Sequence, residues 1–222
     1  MPPTRPAKLL ALSVSLPRDV VVQGETVRTG IFKLPVTGRR SVSSTQIDGD
    51  GQADLSVHGG PEKAVYAYAS EHYAVWREEL GVELATWGAF GENLTLTGLL
   101  ESDVRIGDRF AIGSTELVVT QPRLPCYKLG IRFDSPDMVR RFARADRSGF
   151  YLAVEREGDI GAGDEVVRLS RDPRDLTVSA VYRLRIDGGP RSLMELAAEH
   201  PALASGWRTG FRRKLAALDE DA

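Results

Sequence analysis

Apolar and polar positions alternate along most of the first 170 residues, and Pro or Gly closes each short run. "AKLLALSVSLP" (Ala7–Pro17) and "GETVRTGIF" (Gly24–Phe32) carry alternating or β-branched apolar residues and read as strands. "RFAIGSTELVVTQ" (Arg109–Gln121) reads as a hairpin turning at Gly113-Ser114. "FYLAVEREGDIGAGDEVVRL" (Phe150–Leu169) reads as two strands around a glycine-rich turn. "VRIGDRFAI" from Val104 and "IGAGDEVVRL" from Ile160 share a Gly-Asp turn feeding an apolar strand, which favours a closed or nearly closed sheet.

The period changes to that of a helix twice within this region. "EHYAVWREEL" places Tyr73, Trp76 and Leu80 on one face, with Ser70 as N-cap and Gly81 as stop. His72 falls on the opposite, exposed face of that helix. "SPDMVRRFARAD" starts with Ser135 as cap and Pro136 at the first helical position, and Met138, Val139 and Phe142 form its apolar stripe. After "SRDPRDL" (Ser170–Leu176) helical patterns dominate: "TVSAVYRLRI", "SLMELAAEH" and "GWRTGFRRKLAAL". The expected organisation is a β domain over 1–170 and a small three-helix domain over 171–222.

Composition narrows the function classes. The 222 residues are 42% hydrophobic and 27% charged, enough for a full core, and the formal net charge is -2. That charge gives no case for nucleic acid or an anionic membrane, and the brief basic run at Arg212 is too weak a footprint for a DNA-reading module. One cysteine excludes an intrachain disulfide framework. No window suits a membrane span or a signal sequence, so the expected location is the cytoplasm.

Candidate chemistry concentrates in four stretches. "TQPRLPCYKLGIR" holds the single cysteine, Cys126, between Pro122 and Pro125 upstream and basic residues Arg123, Lys128 and Arg132, with Arg109 further off. Such neighbours favour a thiolate, and a thiolate is a soft metal ligand or a nucleophile; a buried inert thiol is the plain alternative. "SVHGGPEKAVYAY" places His58 before Gly59-Gly60, with Lys63 three residues on; a glycine pair beside a cation exposes N–H groups to an anion, or is merely a tight loop. "DGDGQAD" fails the calcium-loop pattern, because Ala53 and Gly59 occupy its sixth and twelfth positions, and reads as an acidic turn or an anchor for basic neighbours. "WGAFGENLTLTG" sets Glu92 and Asn93 in a glycine-rich loop, either to bond a heterocycle or to cap a turn. The scattered His58, His72 and His200 do not make a zinc site, and His72 and His200 read as structural.

Taken together, "VRTGIFK", "DGDGQADLSVHGGPEKAVYAY", "WGAFGENLTLTGL", "TQPRLPCYKLGIR" and "RSGFYLAV" resemble the MOSC family, the molybdenum cofactor sulfurase C-terminal domain, and within it the YiiM-like branch. The resemblance spans nearly the whole chain. It implies a mainly β, MOSC-type β-barrel with inserted helices plus the C-terminal three-helix domain. It further implies a molybdenum cofactor with Cys126 as metal ligand, and reduction of N-hydroxylated small molecules such as 6-hydroxylaminopurine in detoxification. A separate reductase would donate electrons, and a homodimer is compatible. Arg28, Lys33, His58, Gly59, Gly60, Lys63, Asn93, Thr120, Arg123 and Lys128 are the expected cofactor-binding residues, with Cys126, His58 and Glu92 in catalysis. A non-catalytic cofactor carrier and a sulfur carrier using a Cys126 persulfide are the competing readings.

Overall fold

The structure is a computed structural model that describes residues 6–53 and 59–220. In chain order the elements are β1 (Lys8–Val14), β2 (Arg18–Val22), β3 (Glu25–Thr29), β4 (Leu34–Pro35), β5 (Arg39–Val42), β6 (Val65–Ala69), α1 (Glu71–Leu80), β7 (Leu94–Thr97), β8 (Arg109–Ile112), β9 (Thr115–Pro122), α2 (Tyr127–Phe133), α3 (Met138–Arg144), β10 (Phe150–Arg156), β11 (Gly158–Gly161), β12 (Val166–Ser170), α4 (Val178–Ile186), α5 (Arg191–Glu199) and α6 (Ser205–Glu220). Among the described residues, no helix is long and apolar enough to cross a membrane.

Eight strands form one mixed sheet in the order β12-β8-β9-β10-β6-β7-β1-β4. The expected closed barrel is corrected to this open ladder, whose edges are β12 and β4. The sheet nevertheless curls: Leu9 N–H donates to the Asp164 carbonyl at 2.9 Å, Gly163 N–H to Leu9 at 2.7 Å and Val166 N–H to Ala7 at 2.9 Å. These bonds bring β1 against the turn before β12 without completing a ladder. The hairpin turn at Gly113-Ser114 forms as expected, with Ile112 opposite Thr115 and Gly113 at φ 57. The glycine-rich segment after β10 is not a plain turn. It contains β11, which leaves the main sheet to pair with β5.

β6 divides the interior. It is the central strand, paired parallel to β7 and antiparallel to β10, and all five of its residues are buried. Successive side chains point to opposite faces of a strand. Val65 and Ala67 therefore enter an aliphatic core with Leu9, Leu94, Val119 and Phe150. Tyr66 and Tyr68 enter an aromatic core with Tyr73, Trp76, Phe90 and Phe142. Trp76 Nε1 donates to the Tyr68 hydroxyl at 2.7 Å, which satisfies two buried polar atoms at once.

The three C-terminal helices form where the pattern places them. Val178, Val181, Leu184, Met194, Ala197 and Phe211 join the same aliphatic cluster as the sheet residues. Two local expectations change. Ser70 has helical dihedrals and makes no capping bond to α1, although Gly81 does end that helix in the left-handed conformation at φ 64. The helix expected from Ser135 begins at Met138, with Asp137 at its cap position.

Candidate cofactor cleft

Helix α2 was not legible as a helix, and it positions the cysteine. Gly130 sits in its middle, where glycine weakens helical propensity by about 1 kcal/mol and hides the pattern. The approach at the glycine is tight, because a Cβ there would lie 3.1 Å from the Ser135 carbonyl. β9 ends at Pro122, and Arg123 N–H reaches back to the Gly149 carbonyl at 3.4 Å. Cys126 then adopts extended dihedrals (φ -119, ψ 167) immediately before α2, half-buried on the wall of a cleft.

That cleft is small, with a volume of about 100 Å³, and opens to solvent. Cys126, Arg123 and Lys128 line it from one side, Thr29 to Ile31 and Lys33 from another, with Gly51 and Tyr151 completing the wall. Gly30 permits the walls to meet, since a Cβ on it would lie 2.6 Å from the Gly51 carbonyl.

Arg123 is the distinctive group. It is only 6% exposed, and its guanidinium carbon lies 4.9 Å from the Tyr66 ring centre and 5.3 Å from that of Phe142. Its Nη1 is buried with no hydrogen-bond partner among the described residues. Burial works against the charge, but the adjacent Tyr66 and Tyr151 hydroxyls and the Cys126 thiol outweigh it, so the guanidinium stays protonated. Burial in turn pushes the Tyr151 hydroxyl above its ordinary range, with Arg123 opposing the shift. A buried charged donor lacking an acceptor costs free energy unless a ligand supplies one.

Lys33 is 7% exposed, and its ammonium is paired with the Asp50 carboxylate. Burial draws its pKa down, and Asp50 pulls it back up. Asp50 also accepts from Ser15 N–H at 2.9 Å and from Asn93 Nδ2 at 2.9 Å. The acidic turn is thus the anchor for a basic neighbour that its sequence allowed.

The other expected site residues lie elsewhere. Asn93 acts through Asp50 and holds Tyr66 N–H at 3.1 Å, so it braces the wall from behind. Glu92 is fully buried and does not line the cleft, although its neighbour Gly91 does. It accepts from the Tyr73 hydroxyl, Gly88 N–H at 2.9 Å, Phe90 N–H at 3.0 Å and the Thr95 hydroxyl at 3.0 Å. Burial pushes its carboxyl above the ordinary range, with those donors opposing. Thr120 donates its hydroxyl to the Glu62 carbonyl at 2.7 Å. Arg28 is exposed on β3 and pairs with Asp19 at 3.1 Å. Arg109 pairs with Glu155 at 2.8 Å. Gly59 and Gly60 have positive φ, 102 and 80, but do not line the cleft, and Lys63 lines a separate pocket beside α6. His58 lies outside the described residues. His72 corrects the exposed position expected of it: it is buried, with Nε2 2.8 Å from Glu101. Sequence reasoning did not single out Tyr151, Ile31 or Gly51, although each falls within or beside a quoted motif.

The sheet-rich fold thus brings Cys126 and two buried cations, Arg123 and Lys33, to one cleft. The MOSC domain model matches residues 54–167, and the chain belongs to the MOSC domain family, in its YiiM-like branch. It is 37% identical over 207 residues to YflK of Bacillus subtilis, covering 93% of each chain. It is 36% identical over 186 residues to a Gibberella moniliformis protein named "Reductase", covering 82% of this chain and 33% of that one. The crystal structure of YiiM from Geobacillus stearothermophilus superposes with a TM-score of 0.81 at 33% identity, covering 95% of this chain and all of that one.

Proposed function

We propose that the Cys126 cleft holds a molybdenum cofactor and that the chain reduces N-hydroxylated small molecules, such as 6-hydroxylaminopurine, to the amine. The observation that carries this reading is the unpartnered Nη1 of Arg123, buried beside Cys126 on the wall of one cleft. The donor set suits the group. Cys126 offers a soft sulfur ligand to the metal. Arg123 Nη1 and the Lys128 ammonium offer charge-assisted donors to a pterin phosphate. Lys33 is already matched by Asp50, so it shapes the wall and contributes little net charge. When bound, the cofactor supplies two-electron oxygen-atom chemistry, and the protein supplies ligation, orientation and charge.

The overall conversion takes R–NHOH, two electrons and two protons to R–NH₂ and water. Tyr151 keeps its hydroxyl proton at neutral pH, because burial raises its pKa, and it stands on the cleft wall as a donor to the departing oxygen. Electrons come from a separate reductase. The name of the fungal relative, in which the matching region is a third of the chain, supports an oxidoreductase setting.

The test is to purify the protein from a molybdenum-replete host, measure bound molybdenum and pterin, and assay turnover of 6-hydroxylaminopurine with an artificial electron donor. Bound metal with turnover is the expected result. Metal without turnover would favour a carrier, and no metal with cyanide-labile sulfur on Cys126 would favour a persulfide carrier.

A further inference from the structure

Strands β2 and β3 pair with each other in a two-stranded ribbon apart from the main sheet. The ribbon leaves a groove of about 560 Å³ against α2 and α3, with Val20, Val21 and Phe32 on one wall and Tyr127, Ile131 and Val139 on the other. Phe32 follows Ile31 and Tyr127 follows Cys126, so the groove adjoins the Cys126 cleft. Large apolar side chains stand exposed around both openings: Val21 at 75%, Tyr127 at 62%, and Leu16, which lies beside Gly51 of the cleft, at 67%. The cations on this face are unmatched. Arg18 and Arg132 both lie over the Phe32 ring, their guanidinium carbons 4.4 and 5.4 Å from its centre. Neither makes an ion pair or a side-chain hydrogen bond among the described residues, and the Arg132 Nε is buried. Burial lowers the Arg132 pKa, with Tyr73 and Glu92 opposing and the Arg18 charge adding to the shift. Lys128, one helical turn before Arg132, lines the cleft and has no anionic partner among the described residues. Carboxylates on the same elements are engaged or remote: Asp19 pairs with Arg28, Asp137 with Arg140 and Arg141, and Glu25 lies at the turn end of the ribbon, opposite Arg18. That leaves Asp134, on the groove, against three cations.

We propose that this face is the docking surface of an acidic electron-carrier protein, which seats an apolar side chain in the groove and covers the mouth of the Cys126 cleft. The partner's role rests on the reductive function given to that cleft. In each turnover the carrier is oxidised by two electrons, R–NHOH takes them with two protons, the N–O bond breaks, and amine and water leave. Unmatched arginine and lysine side chains steer an acidic partner, and redox encounters of this kind bury less than about 1,200 Å². Exposed apolar clusters mark interaction sites, and aromatic and arginine side chains are the ones enriched in them. A second copy of this chain would bring Arg18, Lys128 and Arg132 against like charges. An anionic bilayer also attracts cations, but its smooth surface leaves a concave groove unfilled, whereas a protein side chain enters it.

The full chain, free of cofactor, should be titrated with a plant-type ferredoxin, whose surface is strongly acidic, and with cytochrome c, a basic redox protein, reading heat. Saturable binding of the ferredoxin alone is expected, falling steeply as ionic strength rises. Arg18→Glu and Val21→Ser replace exposed residues, so each should melt near wild type while weakening this binding about 5- to 30-fold. In the cofactor-loaded chain both variants should slow turnover driven by reduced ferredoxin, while turnover driven by reduced methyl viologen holds. Binding is read without cofactor, so a chain that binds ferredoxin yet retains no molybdenum would overturn the cofactor reading and leave the docking surface standing. No saturable binding of ferredoxin, equal affinity for cytochrome c, wild-type affinity in both variants, or Arg18-dependent sedimentation of the chain with phosphatidylserine-rich vesicles would overturn the proposal.

Discussion

Glu62 and Ser205 are 143 residues apart, and the Glu62 carboxylate takes both the N–H and the hydroxyl of Ser205 at the start of α6. The bond ties the turn before β6 to the last helix. Glu62→Ala is expected to cost about 0.5–2 kcal/mol, as loss of a helix cap does. Hydrogen exchange in α6 should accelerate while that in β9 and β10 holds; unchanged exchange in α6 would contradict the assignment. All cleft-lining residues precede residue 171, yet the aliphatic core continues through Val178, Val181 and Phe211. A chain ending at residue 170 is therefore expected to bind a hydrophobic dye and lose its cooperative melt.

Cys126→Ser should retain the fold and lose the metal. The side chain is half-buried and the volume change small, so the thermal midpoint should move little. A hydroxyl is a harder and far less acidic ligand. Elemental analysis decides the matter, since wild-type molybdenum content in this variant would end the assignment of Cys126 as ligand.

Arg123→Met should separate stability from function. The substitution removes a buried donor with no acceptor, and this gain offsets the lost contacts with Tyr66 and Phe142, each about 0.5–2 kcal/mol. The apo protein should melt within a few degrees of wild type or above it, while cofactor affinity falls about 10- to 150-fold. Unfolding of the variant, or cofactor binding at wild-type strength, would show that Arg123 serves the core alone.

Asp50→Asn should be among the most damaging single changes near the cleft. It strands the Lys33 ammonium in a buried site, and losing one member of a buried pair costs about 3–5 kcal/mol. The double variant Asp50→Asn with Lys33→Met should recover most of that loss in denaturant titrations. If the double variant is no more stable than the single, the pair is not the source of the cost.

His200 sets an acid limit. It is fully buried; its Nδ1 accepts from Ala202 N–H at 3.3 Å, and Nε2 lies 3.4 Å from Asp172. Burial lowers its pKa below 6.5, with Asp172 opposing. Between that lowered value and 6.5 the unfolded chain binds more protons than the folded one, so stability falls as pH drops through this window. Protonation also removes the acceptor for Ala202. Stability measured across this range should flatten in His200→Gln; an unchanged slope would point to another group.

The sequence showed the strands well where one face is buried and the other wet, as in β1 and the β8–β9 hairpin. It misjudged segments whose partners are distant. β11 pairs with β5 because the chain folds back across about 120 residues, which no local pattern records. α2 was hidden by Gly130, which packs closely against the Ser135 carbonyl. The motifs that mark the cleft are contiguous in the sequence, but which member faces it depends on strand parity and helix phase. Hence Arg123 lines the cleft and Thr120 does not, and Asn93 serves it only from behind through Asp50.

β6 is the shared boundary of both cores, and this has an evolutionary consequence. Positions 65 and 67 answer to the aliphatic packing of β7, β9 and β10, whereas 66 and 68 answer to the aromatic cluster that seats Arg123. Among homologues, substitutions along this one strand should covary by parity. Odd positions should drift with the sheet interior, and even positions should change only in step with the residues around the cysteine.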